Sequence, residues 1–211
     1  MEGFFFVNKF YIYIADFIEQ GYLLMANEDI ISIVDYHLQK WMGAEGNKLP
    51  TEIDSLMADP DQNPKEEWRT WFPINSRVTD SEISEFEDRI GHVLPADYIT
   101  FLKHKHFYEL NISEASFCEH PVFTWRKSLS EMIFDGYPKE FLIERGLIPF
   151  ANWSDWGHLC FDTSGKNSDH NYRIVIWDHE IPYDNQFFAS DFKTSMIKLD
   201  KQDRESCGDK E

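Results

Sequence analysis

Histidines and carboxylates stand close together at two places in the sequence, and both places are candidates for a metal site. The first contains His104, His106 and Glu109, and the second is the run Asp178–Glu180. Residues two apart on a helix do not face each other, so His104 and His106 cannot easily share one ion. Zinc sites require three or four convergent ligands. The pattern therefore favours solvated polar residues over a metal site, and we expect no bound cofactor.

Motifs for nucleophilic catalysis and phosphate binding are missing from the sequence. It contains no G-x-S-x-G, no G-x-x-x-x-G-K-[ST] and no G-x-G-x-x-G pattern. Asp155 and Asp162 could in principle act as an acid–base pair. However, 38 acidic residues make such pairs common by chance. We therefore predict that the protein is not an enzyme, and a metal-dependent enzyme is the least favoured alternative.

Tryptophans next to carboxylates form the cluster that is most informative about function. Trp153, Asp155 and Trp156 stand together, and Asp162 and Asp178 end two nearby β-like runs. An exposed aromatic offers apolar area and an N–H donor, and an adjacent acid can pair with Arg or Lys of a partner. These five residues are the predicted partner-binding surface. The alternative is that the aromatics belong to the core and the acids form turns, and for Trp153 and Trp156 the sequence does not decide.

The protein carries a formal charge of −18 at pH 7 over 211 residues. Such a chain repels phosphate backbones and anionic lipid surfaces, which argues against nucleic-acid and membrane partners. It attracts basic proteins and associates faster with them at low salt, although an acidic surface can also serve solubility alone. Cys118, Cys160 and Cys207 lack metal-like or disulfide-like spacing, which predicts reduced thiols in a cytoplasmic protein.

The N-terminal stretch Phe4–Met25 is rich in apolar residues. It lacks the basic region and the cleavage site of a signal peptide. Lys9, Asp16 and Glu19 interrupt it as a membrane span. We predict a buried helix over Phe4–Gln20, which either packs on the rest of the protein or pairs with a second copy in a homodimer.

Turn residues divide the chain into three predicted parts. Asn27 is suited to cap a helix that ends at Gly43, and the run Asp59–Pro64 reads D-P-D-Q-N-P. We place an N-terminal helical extension at 1–63, a domain at 64–199 and a polar flexible tail at 200–211. Within the domain, Glu66–Phe72 is predicted to form a short helix.

The segment Val78–Leu102 predicts two helices joined by a tight break. Thr79 and Glu82 have the spacing of a capping box. Gly91 follows the last apolar residue of the first helix, where a positive φ is needed, and Pro95 suits the first turn of the second.

Short β-like runs follow the helices and predict an α+β fold with a mainly antiparallel sheet packed by helices. Pro121–Trp125 is predicted to be a strand and Ser128 to cap a short helix, whereas Phe107–Cys118 is left unassigned. Ser190 is predicted to cap the last helix. The later strands are predicted at Leu147–Ala151, Trp156–Asp162, Tyr172–Trp177 and Phe187–Phe188, with a hairpin loop at Thr163–His170.

Two ordered blocks of sequence carry a family resemblance. The first reads T-D-x-E-I-x-x-F-E and then I-G-x-x-L-P-x-D-Y-x-x-F-L, and its matching residues are Glu82, Ile83, Phe86, Glu87, Gly91, Leu94, Pro95, Asp97, Tyr98, Phe101 and Leu102. The second contains Ile148, Pro149, Phe150, Asp155, Gly157, Phe161, Asp162, Trp177, Asp178, Ser190 and Phe192. Together they resemble the SUKH superfamily, which includes a fungal regulator of cell-wall glucan synthesis and many bacterial immunity proteins.

The resemblance implies a protein-binding module on a shared fold. It favours an immunity protein that neutralises a bacterial toxin, often a nuclease or a deaminase, by docking its acidic surface onto a basic toxin. The alternative is a regulatory scaffold for enzymes of cell-wall synthesis or signalling. The chain departs from the family at Lys103–His106, where an Asn-Gly-Gly type turn is common, and in its first 60 or so residues.

Overall fold

A six-stranded antiparallel sheet is the central element of the computed structural model, which describes residues 29–63, 65–165 and 171–208. Its strands lie side by side in the order of the chain, so each connection joins neighbours. The strands are β5 (Asn111–Ile112), β6 (Ala115–Phe117), β7 (Leu147–Trp153), β8 (Gly157–Asp162), β9 (Arg173–Asp178) and β10 (Gln186–Ala189). The predicted α+β fold with an antiparallel sheet is confirmed.

Short strand pairs and five helices complete the described fold. Two-residue strands pair as β1 (Lys48–Leu49) with β2 (Arg69–Thr70), and as β3 (Ile74–Asn75) with β4 (Lys105–His106). The first helix, α1, covers residues 29–43 of the described part. The others are α2 (Asp80–Ile90), α3 (Ala96–His104), α4 (Trp125–Phe134) and α5 (Phe192–Cys207).

The main core lies between one face of the sheet and the helices, and Tyr98 of α3 lies within it. Its ring centroid is 5.1 Å from that of Phe161 on β8 and 5.1 Å from that of Phe192 on α5. Phe150 of β7 packs 4.6 Å from Phe161. Edge-to-face and tilted pairs of this kind add attraction beyond the area that they bury, so the aromatic cluster fixes how α3 and α5 lie on the sheet.

The helical hairpin is formed as the sequence predicts. The Thr79 side chain accepts a hydrogen bond from the Glu82 N–H, and the Glu82 carboxylate accepts one from the Thr79 N–H. Gly91 ends α2 with φ 74°, a left-handed conformation that favours glycine. Pro95 precedes the first residue of α3. These local signals are strong because each satisfies backbone groups that a helix end leaves free.

A smaller apolar cluster covers the opposite face of the sheet. It comprises Leu142, Leu147, Cys160, Val175 and Trp177. Two 3-10 turns lie beside this cluster, at Lys139–Phe141 and Ile143–Arg145. The partly buried Phe141 ends the first turn, and Leu142 lies between the two. The sheet is therefore apolar on both faces.

Helix α1 is bound to the C-terminal end of α5. The Nε2 of buried His37 lies 2.9 Å from an Asp200 carboxylate oxygen, and Lys40 forms an ion pair with Asp203. These contacts hold α5 helical for about two turns beyond Leu199, where the sequence favoured a frayed tail. The division of the chain at residue 63 stays a prediction.

One predicted helix and one predicted strand are wrong. Glu66–Phe72 is not helical, because Arg69–Thr70 pairs with Lys48–Leu49 and the Trp71 N–H donates to the Asn47 carbonyl at 3.0 Å. Pro121–Trp125 is a turn that leads into α4. Both segments are short and have only a weak preference for the predicted secondary structure, so their surroundings in the fold determine the conformation.

Two predicted caps are displaced. Helix α4 begins at Trp125, so Ser128 lies inside it and donates its hydroxyl to the Glu119 carboxylate at 2.7 Å. Helix α5 is capped by Asp191, whose carboxylate accepts from the Thr194 N–H at 2.7 Å. Ser190 donates to the Asp191 carboxylate and so supports the cap from outside the helix.

Four further predictions concern segments that are partly or wholly outside the described residues, and one of them is the helix cap at Asn27. The helix Phe4–Gln20 and its proposed pairing in a homodimer lie outside them, and so do residues 166–170 of the predicted hairpin loop. Within the described ranges, no helix is long and apolar enough to cross a membrane.

Candidate functional site

Four of the five predicted partner-binding residues lie at one end of the six-stranded sheet. Trp153 at the end of β7 pairs with Gly157 at the start of β8. Gly157 pairs in turn with Asp178 at the end of β9. Asp155 and Trp156 lie in the turn between β7 and β8. Strand register therefore brings together residues that are up to 25 positions apart in the chain.

The β7–β8 turn is held by the neighbouring hairpin of β5 and β6. Ser154 has φ 51°, which is unusual for a residue other than glycine. Its N–H donates to the Glu114 carbonyl at 2.8 Å, and its hydroxyl donates to the Glu114 carboxylate at 2.7 Å. On the other side, the His179 N–H donates to the Trp156 carbonyl at 3.2 Å. The turn is thus fixed from both neighbouring strands.

Gly157 of β8 lies close against the backbone of β9 at this end of the sheet. A Cβ atom at this position would lie 2.3 Å from the Trp177 carbonyl oxygen. We expect Gly157→Ala to lower the free energy of unfolding by about 1–3 kcal/mol, because the two strands must move apart. Urea unfolding measures this, with Gly165→Ala, where a Cβ meets nothing within 4 Å, as the control. Equal stability of the two variants would contradict the prediction.

Both tryptophans of the turn are half-buried and pack against the main core. Trp153 packs against the main core, with its ring centroid 5.2 Å from that of Phe188. Trp156 is half-buried and Asp155 is exposed. Each tryptophan thus packs on the core with part of its surface and leaves part exposed, and Trp156 does so directly beside the exposed carboxylate of Asp155.

Four carboxylates lie in or beside the turn that contains Trp156. The Asp178 carboxylate accepts from the Glu180 N–H at 2.8 Å, which places Glu180 beside it. We call the set Glu114, Asp155, Trp156, Asp178 and Glu180 the turn surface. Among the ion pairs of the described ranges, none involves any of these carboxylates. Their charges are therefore available to a partner from outside the chain.

Asp162 lies away from the turn surface, at the other end of β8. A six-residue strand separates its ends by roughly 17 Å. Asp162 is 4% exposed and accepts hydrogen bonds from Arg173 Nε at 2.8 Å and from the Ser164 N–H at 2.9 Å. Burial raises its pKa, but the hydrogen bonds from Ser164 and Arg173 more than offset this and leave the pKa lowered. Its observed contacts are those of a structural residue.

The candidate metal ligands have separate partners. His104 Nε2 lies 2.8 Å from an Asp35 carboxylate oxygen, and the Glu109 carboxylate accepts from the Trp41 indole N–H at 3.3 Å. His106 is buried elsewhere, beside His120. No group of three or more His, Cys, Asp or Glu side chains within the described ranges is arranged to hold one metal ion.

His106 and His120 form a buried stacked pair, with ring centroids 4.9 Å apart. The Arg77 N–H donates to His106 Nε2 at 2.9 Å. The His106 proton therefore lies on Nδ1, which donates to the His120 carbonyl at 2.9 Å. The Nδ1 of His120 is 3.1 Å from the Lys105 carbonyl. Burial lowers the pKa of both rings, so both are neutral at pH 7.

A cleft beside the C-terminal end of α4 is a second polar site, which sequence reasoning missed. It is lined by Glu131 and Asp135 at the end of α4, by Tyr137, and by Asn152 and His158 on β7 and β8. The four-residue spacing of the two acids places them on one helix face. This spacing is the feature of the sequence that could have indicated the cleft. The strand residues could not be assigned to the cleft without the fold.

These observations define a class: an α+β domain in which helices cover a six-stranded antiparallel sheet and which carries an acidic surface at one end of that sheet. The chain belongs to the SMI1 / KNR4 family (SUKH-1), whose family model matches residues 77–197. No curated protein matches the chain. Membership supports a protein-binding or immunity-type module at the level of the family, which is generally non-enzymatic. Helix α1 and the last turns of α5 lie outside the match.

Proposed function

We propose that the chain is a non-enzymatic immunity protein, which neutralises a basic bacterial toxin by docking the turn surface onto it. The observation that carries this proposal is that four carboxylates, without ion pairs in the described structure, lie at the same end of the sheet as the half-buried Trp156. The family supports protein binding in general, and the nuclease or deaminase nature of the toxin belongs to the proposal. Reduced cysteines and the acidic charge suit a cytoplasmic site of action.

Charge and aromatic area act at different stages of such binding. With a formal charge of −18, the protein accelerates its encounter with a positively charged partner at low salt. Once the two surfaces meet, Trp156 supplies apolar area and an N–H donor, and the carboxylates pair with Arg or Lys side chains. Neutralisation follows where the bound surface covers the active site of the toxin.

Affinity capture tests the proposal. Full-length tagged protein is incubated at low salt with lysate of cells that carry the neighbouring genes, washed with rising salt, and analysed by mass spectrometry. We expect one dominant basic protein, released as the salt concentration rises, whose toxicity is suppressed by this chain. Several enzymes of cell-wall synthesis or signalling, without such a toxin, would instead support the regulatory scaffold and overturn the proposal.

Two variants locate the docking surface once the partner is captured. Trp156→Ala is expected to weaken binding about 30-fold, as hot-spot tryptophans do. The triple variant Asp155→Asn/Asp178→Asn/Glu180→Gln is expected to slow association and to reduce its salt dependence. A control triple variant, Asp61→Asn/Asp88→Asn/Glu140→Gln, removes the same charge from exposed positions elsewhere. Equal effects of the two triple variants would show that net charge acts and the turn surface does not.

A further inference from the structure

The outer edge of β10 is open in the described structure. β10 is an end strand of the six-stranded sheet, and within the described residues only β9 pairs with it. The opposite end strand, β5, is only two residues long, whereas β10 has four. An unpaired strand edge is a template for the addition of a further segment of chain. The edge of β10 is therefore a candidate docking surface.

Two exposed apolar side chains flank this edge. Phe187 of β10 is 67% exposed, and it pairs with Val175 on the face of the smaller apolar cluster. Ile197 of α5 is 45% exposed and lies on the other face, where α5 packs in the main core. The ammonium group of Lys198 donates to the Phe188 carbonyl at 3.1 Å, which places α5 along the strand. We call Phe187, Ile197 and the outer edge of β10 the β10 edge surface.

The described chain begins beside this surface. Asp29, the first described residue of α1, forms an ion pair of 2.9 Å with Lys193 in the first turn of α5. Lys193 and Ile197 are four residues apart and share one face of the helix. α1 runs parallel to α5, because His37 meets Asp200 further along both helices. The chain that precedes Asp29 therefore leaves α1 at the end of α5 that follows β10.

An apolar segment precedes Asp29 and is long enough to cover the β10 edge surface. Of the 22 residues in Phe4–Met25, 16 are apolar. Three residues separate Met25 from Asp29, a connection that spans at most about 14 Å, and β10 is itself only about 13 Å long. Contiguous apolar surface of this size is rarely left in water. The segment thus requires a partner surface, and the β10 edge surface is within its reach.

We propose that Phe4–Met25 packs against the β10 edge surface of its own chain. The short connection to α1 keeps the segment at a high effective concentration beside this surface. Two copies of a protein with a formal charge of −18 repel each other, which favours contact within one chain over pairing between chains. The packed segment buries Phe187 and Ile197 and closes the edge against other strands. The inference is independent of the proposed function, since it uses no residue of the turn surface.

Photo-crosslinking of the full-length protein tests the contact directly. p-Benzoylphenylalanine takes the place of Phe187 or, in a control protein, of Phe123, which is 75% exposed in the turn before α4. We expect irradiation to join position 187 to residues 4–25 within one chain, identified by mass spectrometry of peptides from the monomer band. Position 123 is expected to give no such product. Equal crosslinking from both positions, no crosslink from position 187 to residues 4–25, or one found only between two chains would overturn the proposal.

Hydrogen exchange measures how strongly the segment is held. Phe187→Ser removes one apolar side chain of the surface, and we expect the amides of residues 4–25 to exchange about tenfold faster than in the unchanged protein. Phe123→Ser, at a similarly exposed position, is the matched control and is expected to leave this exchange unchanged. Equal exchange in the two variants would contradict the proposal. Protection that is lost on dilution from about 100 to about 1 µM would assign the segment to a second copy and overturn it.

Discussion

Replacing Leu38 by alanine is expected to remove about 2–5 kcal/mol from the free energy of unfolding. Leu38 lies on α1, outside the matched family region, yet it is 2% exposed and belongs to the main core. Ile30, Val34 and Met57 are buried in the same core. Since domains are typically stable by about 5–15 kcal/mol, one such change consumes a large share of the total.

Urea unfolding with tryptophan fluorescence measures this loss, and Gln39→Ala, at an exposed position of the same helix, is the control. A larger test is a variant that lacks residues 1–63. We expect it to aggregate or to lack a cooperative transition, because the removal of α1 exposes the core residues that this helix covers. It also removes His37 from Asp200 and Lys40 from Asp203. A soluble, cooperatively folded variant with unchanged stability would show that residues 64–208 fold alone.

Acidification from pH 7.5 to pH 5 is expected to destabilise the protein through its buried histidines. Burial lowers the pKa of His106, His120 and His158, and also that of His37 despite its contact with Asp200. The unfolded chain takes up protons at these sites below about pH 6.5, whereas the folded protein does not. Stability is therefore fully present above pH 6.5 and is lost as the pH falls towards the folded pKa values.

A variant of His120 separates the contribution of a buried histidine from the other effects of acid on stability. Burial lowers the pKa of His120 to about 3, so at pH 5 this histidine contributes a loss of roughly 2 kcal/mol. His120→Phe keeps a ring that can pack between Phe107 and Trp125, and we expect it to reduce the loss between pH 7.5 and pH 5 by about that amount. His179→Phe, at an exposed position, is the control. An unchanged difference between the two pH values in His120→Phe would contradict the assignment.

Local signals in the sequence correctly predicted the helix ends at which neighbouring residues bind the free backbone groups. The capping box at Thr79 and Glu82 and the glycine at Gly91 are formed as expected, because each acts within one turn of chain. The later strands were predictable from alternation and turn residues, and their order in the sheet follows the chain. By contrast, Ser190 and Asp191 are both good caps, and only the geometry of the α5 start shows that Asp191 acts.

Features that depend on distant contacts could not be predicted from the sequence. The β1–β2 pair forms because Lys48 meets Thr70, and no local signal indicates this pairing. For the candidate site, the predicted strand already implied that Asp155 and Asp162 lie far apart. Asp155 precedes the start of β8, and Asp162 is its last residue. The cleft required the fold, because α4 and His158 come together only after the sheet has formed.

The contact between α1 and α5 has a consequence for protein synthesis. His37 meets Asp200 across 163 residues, whereas the six strands of the sheet each pair with the next one to emerge. Short-range pairing of this kind is fast, and contacts between chain ends are delayed by the length of the loop that they close. The ion pairs of His37 and Lys40 with α5 thus form only after α5, the last described helix, has been translated. Until then α1 is held only by segments that are translated earlier, such as His104 and Glu109, and the nascent chain is more open to chaperones than the finished protein.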